Sequence, residues 1–334
     1  MMRCAAWHRS IHLPKGIGML GRWTRREFCK AVGVAAAGAA LGSAAGKEPL
    51  PFKLGVITDE ISQHLDQALE FMAGYSLSYC ELRSFGGKNT LNMSQEELER
   101  GKQIIEMHHF HVSDIASPIY KWDLPEMAGL PNRERNTFSA PFTEQNAEEA
   151  LRKSFQIARV FGTEKVRIFS YWRVADPDKA YPYILERLRK ATTLAEQNKI
   201  VLVLENEPTC NIATGKELAR FVDDINSPCL CGNWDPANCV ELNEVPYPDG
   251  YNQVRGLFQH MHIKDLARDP KTGKLHYVPV GKGVVDFTGQ FRALIKDGYA
   301  GTMSLGTHYR RPDGNRLEST RECLEGLFQI LKNV

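Results

Sequence analysis

The sequence predicts a closed parallel (β/α)8 barrel, and three observations carry that prediction. Eight short aliphatic segments alternate with segments of helical periodicity along the chain. Eight such units in fewer than 300 residues suit a barrel in size. Polar residues sit at segment ends all along the chain, as expected where strand ends converge on one mouth. The alternative, a doubly wound open sheet, is disfavoured because no G-x-G-x-x-G follows the first strand.

Composition fits one large globular barrel: 334 residues, 43% hydrophobic, 25% charged, net charge +2. That balance carries no electrostatic footprint for nucleic acid. The first 46 residues read as a separate export-type segment. Thr24-Arg25-Arg26-Glu27-Phe28-Cys29-Lys30 precedes an uncharged Ala/Gly run from 31 to 46, the order of a cleavable signal. The run is too short and too weakly apolar for a stable membrane span. It resembles a twin-arginine signal, which implies contact with export machinery and a mature protein, residues 47–334, working in the periplasm or another extracytoplasmic space. Of eight cysteines, Cys4 and Cys29 lie in this leader. The others lack the regular spacing of a disulfide framework, although Cys210 and Cys239 follow neighbouring strands and one bridge is left open.

Strand one spans 52–58 and ends in Asp59 and Glu60. Ser62 is placed to cap a helix whose apolar face holds Leu65, Leu69 and Met72. Strand two covers 79–83, with the glycine loop 85–88 after it. Ser94-Gln95-Glu96-Glu97 is a capping box opening a helix to about 108. Strand three is 111–116. A long polar stretch, 121–143, is of a length that compact domains reserve for function or disorder. A helix over 144–161 leads to strand four, 165–169, and the aromatic loop Tyr171-Trp172-Arg173. After a helix at 183–198 comes strand five. Helices at 218–225 and 253–257 precede strands 229–235 and 259–265. A glycine-punctuated loop, 281–283, a helix at 287–297, the last strand at 301–305 and a helix at 317–331 complete the chain.

Strand five holds the densest chemistry. Val201, Leu202, Val203 and Leu204 run into Glu205, Asn206, Glu207 and Pro208. Alternation points Glu205 and Glu207 the same way. Two carboxylates closing an apolar strand are costly to bury without a positive partner. Read alone, they are surface acids at a strand-to-loop junction. Asp235, His262 and Lys264, at the ends of the next two strands, change that reading.

Together these pieces resemble the xylose isomerase-like barrel superfamily, the sugar phosphate isomerase/epimerase group. The resemblance is carried by Gly55-Val56-Ile57-Thr58-Asp59, Glu81-Leu82-Arg83, Ser117-Pro118 with Lys121, and Leu204-Glu205-Asn206-Glu207. Asn233-Trp234-Asp235, His262-Ile263-Lys264-Asp265, Gly281-Lys282-Gly283 and Gly298-Tyr299 complete it. It implies a divalent metal (Mn, Mg, Co or Zn) at the mouth, with Glu205, Asp235 and His262 in three ligand places. In the fourth place, where the family carries a second Glu, this chain has Gly306. His308 shares its parity and is the candidate replacement. Asp265 is expected to orient or cap.

The resemblance also implies proton transfer next to a carbonyl through an enediolate stabilised by the metal. Glu205 or Glu207 is one candidate base, with His308, Lys264 or water as the second. Arg83, Lys121, Trp172, Arg173 and His260 are candidate substrate contacts; each alone is equally a solvated charge, a packed ring or a core histidine. The expected function is a metal-dependent isomerase or epimerase acting on a small sugar or keto-sugar. Alternatives are a carbohydrate-binding barrel without catalysis, because Gly306 removes a base, and a keto-sugar lyase or dehydratase. The abasic-site endonuclease branch of the same barrel lacks its basic face here. Oligomeric assembly is left open.

Overall fold

The computed structural model describes residues 50–131, 135–140 and 142–334; the export-type segment, 1–46, lies outside the described residues. The eight barrel strands are β1 (Lys53–Ile57), β2 (Tyr79–Leu82), β3 (His111–Ile115), β4 (Lys165–Ile168), β5 (Val201–Glu205), β6 (Leu230–Trp234), β7 (Phe258–Ile263) and β8 (Thr302–Leu305). They pair in sequence order, and β8 closes on β1. Every neighbouring pair is parallel. The strands are short runs of Val, Ile and Leu because both faces are buried, one by the barrel interior and one by the helices. Leu202, Leu204, Val166 and Ile168 are all 0% exposed.

The outer helices follow their local signals. Gln95–Met107 opens on the expected capping box, with Ser94 and Glu97 bonding reciprocally. Gly215–Ile225 opens on another, Thr214 with Glu217, and Asp286 caps Phe287–Lys296. Ser62 does not cap as expected: it ends a short helix, Thr58–Ile61. The next helix, Leu65–Ala73, has His64 at its cap with no side-chain bond, while the Ser62 hydroxyl accepts from the His64 N–H at 3.0 Å. Pro177–Asn198 starts before 183 because Asp176 caps it with proline at the first turn.

Two antiparallel hairpins decorate the mouth, Ser84–Phe85 with Lys88–Asn89 and Asp265–Arg268 with Leu275–Val278. Among the described residues no helix is long and apolar enough to cross a membrane. Cys210 and Cys239 are free, buried thiols.

Candidate metal centre at the barrel mouth

Glu205 is the last residue of β5, and Asp235 follows the last residue of β6. Asn206, between the two glutamates, ties these ends together. Its Oδ1 accepts from the Asp235 N–H at 2.8 Å, and its Nδ2 donates to the Asp235 carbonyl at 2.8 Å. Asp235 caps the short helix Pro236–Val240 through Oδ1, which takes the N–H groups of Ala237 and Asn238. Its Oδ2 is thereby aimed at the mouth, 2.9 Å from Lys264 Nζ and 3.7 Å from His262 Nδ1.

His262 stands on β7 two residues beyond His260, so both rings enter the barrel. Its Nδ1 lies 3.3 Å from Glu205 Oε1. Glu205, Asp235 and His262 each offer a ligand atom within 4.8 Å of the other two, and all three are buried. A mixed carboxylate and imidazole set of this kind fits a divalent ion. Glu205 Oε2 and Asp235 Oδ2 have no hydrogen bond of good geometry, although Arg167 and Lys264 approach them at 3.2 and 2.9 Å. The carboxylate and imidazole atoms converge closely enough to share one ion, so the residues present fit it.

The electrostatics agree. Burial pushes Glu205 and Asp235 up, but positive neighbours outweigh it: His262 and Arg167 for Glu205, Lys264 and His262 for Asp235, so both are held below the carboxylate range. Burial pushes His262 down, yet Glu81 and Glu205 raise it well above an ordinary imidazole. Lys264 is likewise driven up against burial, chiefly by Asp235, so its ammonium keeps its proton.

The other residues singled out from the sequence are distributed around this triad. Glu207 sits beyond the strand and pairs with Lys121 at 3.2 Å; its carboxyl is held low by Lys121 despite burial. Lys121 Nζ lies over the rings of Phe169 at 4.5 Å and Phe138 at 4.7 Å, with Trp172 at 5.8 Å. Arg83 is clamped by Asp59 and Glu60 at 2.8 and 2.7 Å. Arg173 pairs with Glu217 at 2.9 Å and donates to the carbonyls of Cys210 and Asn211. His260 is fully buried, its Nδ1 2.6 Å from Thr302 Oγ1 and its Nε2 3.0 Å from Glu81.

Gly306 directly follows β8, and its N–H bonds the Ile263 carbonyl at 2.9 Å. A Cβ there would meet Ile57 Cδ1 at 3.4 Å and His308 Nδ1 at 3.5 Å, ordinary contact. His308 lies outside the metal triad. Its Nδ1 is 3.2 Å from the Gly306 carbonyl, an acceptor only, so Nδ1 carries the proton and Nε2 the lone pair. Burial and then Lys264 lower its pKa to about 4. Asp265 does cap: it accepts from the N–H groups of Gly281 and Gly283 at 2.9 Å each. A Cβ on Gly283 would lie 2.1 Å from the Asp265 carboxylate, which is why a glycine stands there.

Sequence reasoning named Glu81 and Asn233 only as part of the resemblance, without a role, and passed over Asp114 and Arg167. Arg167 reaches Glu205 at 3.2 Å, and Asn233 Nδ2 lies 3.2 Å from His262 Nε2. Their signal was present: an ionisable or amide side chain inside a strand whose neighbours are aliphatic.

A family model described as xylose isomerase-like TIM barrel matches residues 69–328. No curated protein matches the chain. Among solved structures, the IOLI protein with a bound zinc atom aligns at TM-score 0.65 and 15% identity, covering 84% of this chain and 99% of that one. The probable 3-DHS dehydratase AsbF from Bacillus anthracis aligns at 0.61 and 18%, covering 80% and 98%. D-psicose 3-epimerase with D-tagatose from Clostridium cellulolyticum H10 aligns at 0.60 and 13%, covering 84% and 99%.

Proposed function

From the premise that this chain belongs to the xylose isomerase-like TIM-barrel family, we propose that it is a metal-dependent isomerase or epimerase of a sugar or keto-sugar. The observation that carries this reading is the convergence of Glu205, Asp235 and His262 from three successive strands. These three residues would hold the ion, and a Mn, Mg, Co or Zn ion there would supply Lewis-acid polarisation of a substrate carbonyl.

The chain's own groups supply the proton handling. Glu207, ionised and oriented by Lys121 at 3.2 Å, takes the proton from the carbon next to the carbonyl. Lys264 holds its proton too tightly to act as a base and serves as a fixed positive charge beside Asp235. His308, beside Gly306 and neutral above about pH 4, offers its Nε2 lone pair as the second proton-transfer group. Phe169, Trp172 and Lys121 form one wall of the mouth and contact the sugar.

The test is deuterium incorporation from D2O next to the carbonyl of free ketoses, with manganese present. Exchange that disappears in Glu207→Gln supports the reading. Metal binding without exchange on any ketose supports the second reading, a carbohydrate-binding barrel, which Gly306 favours by removing a carboxylate. Release of water from a keto-sugar would instead give a dehydratase, as the Bacillus anthracis neighbour, a probable 3-DHS dehydratase, is named.

We also propose that the protein works outside the inner membrane, on a free sugar, because Arg25 and Arg26 head an export-type segment. Arg25→Lys with Arg26→Lys should retain the protein in the cytoplasm; secretion of that variant would discard the twin-arginine route.

A further inference from the structure

Beneath the mouth, inside the barrel, lies a second group of fully buried ligating side chains. Glu81 on β2, Asp114 on β3 and His260 on β7 are all 0% exposed. Glu81 Oε2 is 3.0 Å from His260 Nε2 and 3.1 Å from His262 Nε2. Asp114 Oδ1 is 3.4 Å from His260 Nε2. Glu81, His260 and His262 each offer a ligand atom within 4.8 Å of the other two. The two Glu81 contacts lie just inside the roughly 3.3–3.4 Å that separates ligand atoms around a tetrahedral zinc, while Asp114 touches His260 and lies outside that set.

We propose that a zinc-class divalent ion binds inside the barrel between Glu81, His260 and Nε2 of His262, with Asp114 beside His260 as an outer, charge-balancing carboxylate. Two further observations point there. Asp114 Oδ2 is buried with no hydrogen-bond partner, the condition of a carboxylate lacking its counter-charge. Both histidines also have an oxygen at the opposite nitrogen: Thr302 Oγ1 at 2.6 Å from His260 Nδ1, and Glu205 Oε1 at 3.3 Å from His262 Nδ1. Metal-bound imidazoles characteristically donate their other N–H to such oxygens. Two imidazoles with one carboxylate suit zinc or cobalt, whereas the mouth, with one imidazole, suits manganese or magnesium.

A neutral imidazole has one lone pair. The inner ion draws on His262 from one side and the mouth ion from the other. Zinc held inside therefore weakens manganese at the mouth.

The full chain, stripped with a chelator, is titrated with zinc and with cobalt, following bound metal per chain and visible absorption. Asp235→Asn, which damages the mouth, should keep one tightly held zinc and the intense bands of four-coordinate cobalt. His260→Gln should weaken zinc at least about tenfold and lose those bands, and Asp114→Asn should weaken zinc by a similar factor. If His260→Gln fails to fold, the near-isosteric Asp114→Asn decides, with circular dichroism confirming its fold. The proposal is overturned if both inner variants bind zinc like the parent, as a chain of shared protons would allow, or if Asp235→Asn binds none. Manganese binding to the Asp235→Asn and parent chains reads the mouth separately, so failure of either site is visible on its own.

Discussion

Two buried charge clusters share the barrel mouth and differ in the groups that face their carboxylates. At the ends of β1 and β2, Arg83 bonds Asp59 through two nitrogens and Glu60 through one. Arg310 adds a second guanidinium to Glu60 at 2.6 Å. At the ends of β5 to β7, Glu205, Asp235 and His262 face Arg167 and Lys264, yet one oxygen on each acid accepts no well-directed bond. Asp59 Oδ1 is likewise without a partner, so an unfilled lone pair does not by itself separate the two. What separates them is the neighbour: Asp59 and Glu60 are bonded by guanidiniums, whereas Glu205 and Asp235 stand within ligand distance of the His262 imidazole.

The comparison breaks most sharply at the site. Glu205→Gln should abolish manganese binding while the melting temperature stays near that of the parent; calorimetric titration beside a thermal melt checks both. Retained manganese affinity would remove the site. Arg83→Met should do the reverse, costing about 3–5 kcal/mol of stability because two buried carboxylates lose their main partner. Its manganese affinity, measured below the melt, should be unchanged; a parallel loss would make the clasp part of the site.

Acid sharpens the same contrast. Burial raises Glu60, but Arg83, His308 and Arg310 together lower its pKa to about 2. A depressed carboxyl contributes stability that is full above its unfolded value, near 4.5, and is lost as pH falls through about 2. The contribution is on the order of 3 kcal/mol. Urea melts of Glu60→Gln between pH 6 and 2 should show a flatter acid limb than the parent; identical limbs would count against the clasp. The smallest effect is expected at Gly306→Glu. The backbone has room for the Cβ, and the added carboxylate should tighten manganese about tenfold, roughly 1.4 kcal/mol. No change would mean that position 306 does not address the ion.

Much of this arrangement was legible before any coordinates. The barrel follows from aliphatic segments alternating with helical ones, and the capping box at Ser94 and Glu97 needed only local spacing. Glu205 stood out because it ends an apolar run, and Asp235 and His262 because they lie at the ends of the next two strands. Glu81 and Asp114 were less visible: a single acid within a strand does not show which acid or imidazole lies opposite it. Arg83 and Arg173 read as candidate substrate contacts or solvated charges, but whether a guanidinium is engaged depends on partners distant in sequence, Asp59 and Glu217. The hairpin Asp265–Arg268 with Leu275–Val278 went unread because its strands have no buried alternation.

The sequence by itself determined the barrel, the order of its strands, and the absence of a carboxylate at position 306, because periodicity and side-chain identity are local properties. Only the tertiary structure decided which acids an arginine clasps and which stand beside the His262 ring. It also decided that His262 faces two sets of acids at once, one through each ring nitrogen. Those facts depend on distances across a closed barrel, between residues as far apart in the chain as Glu81 and His262.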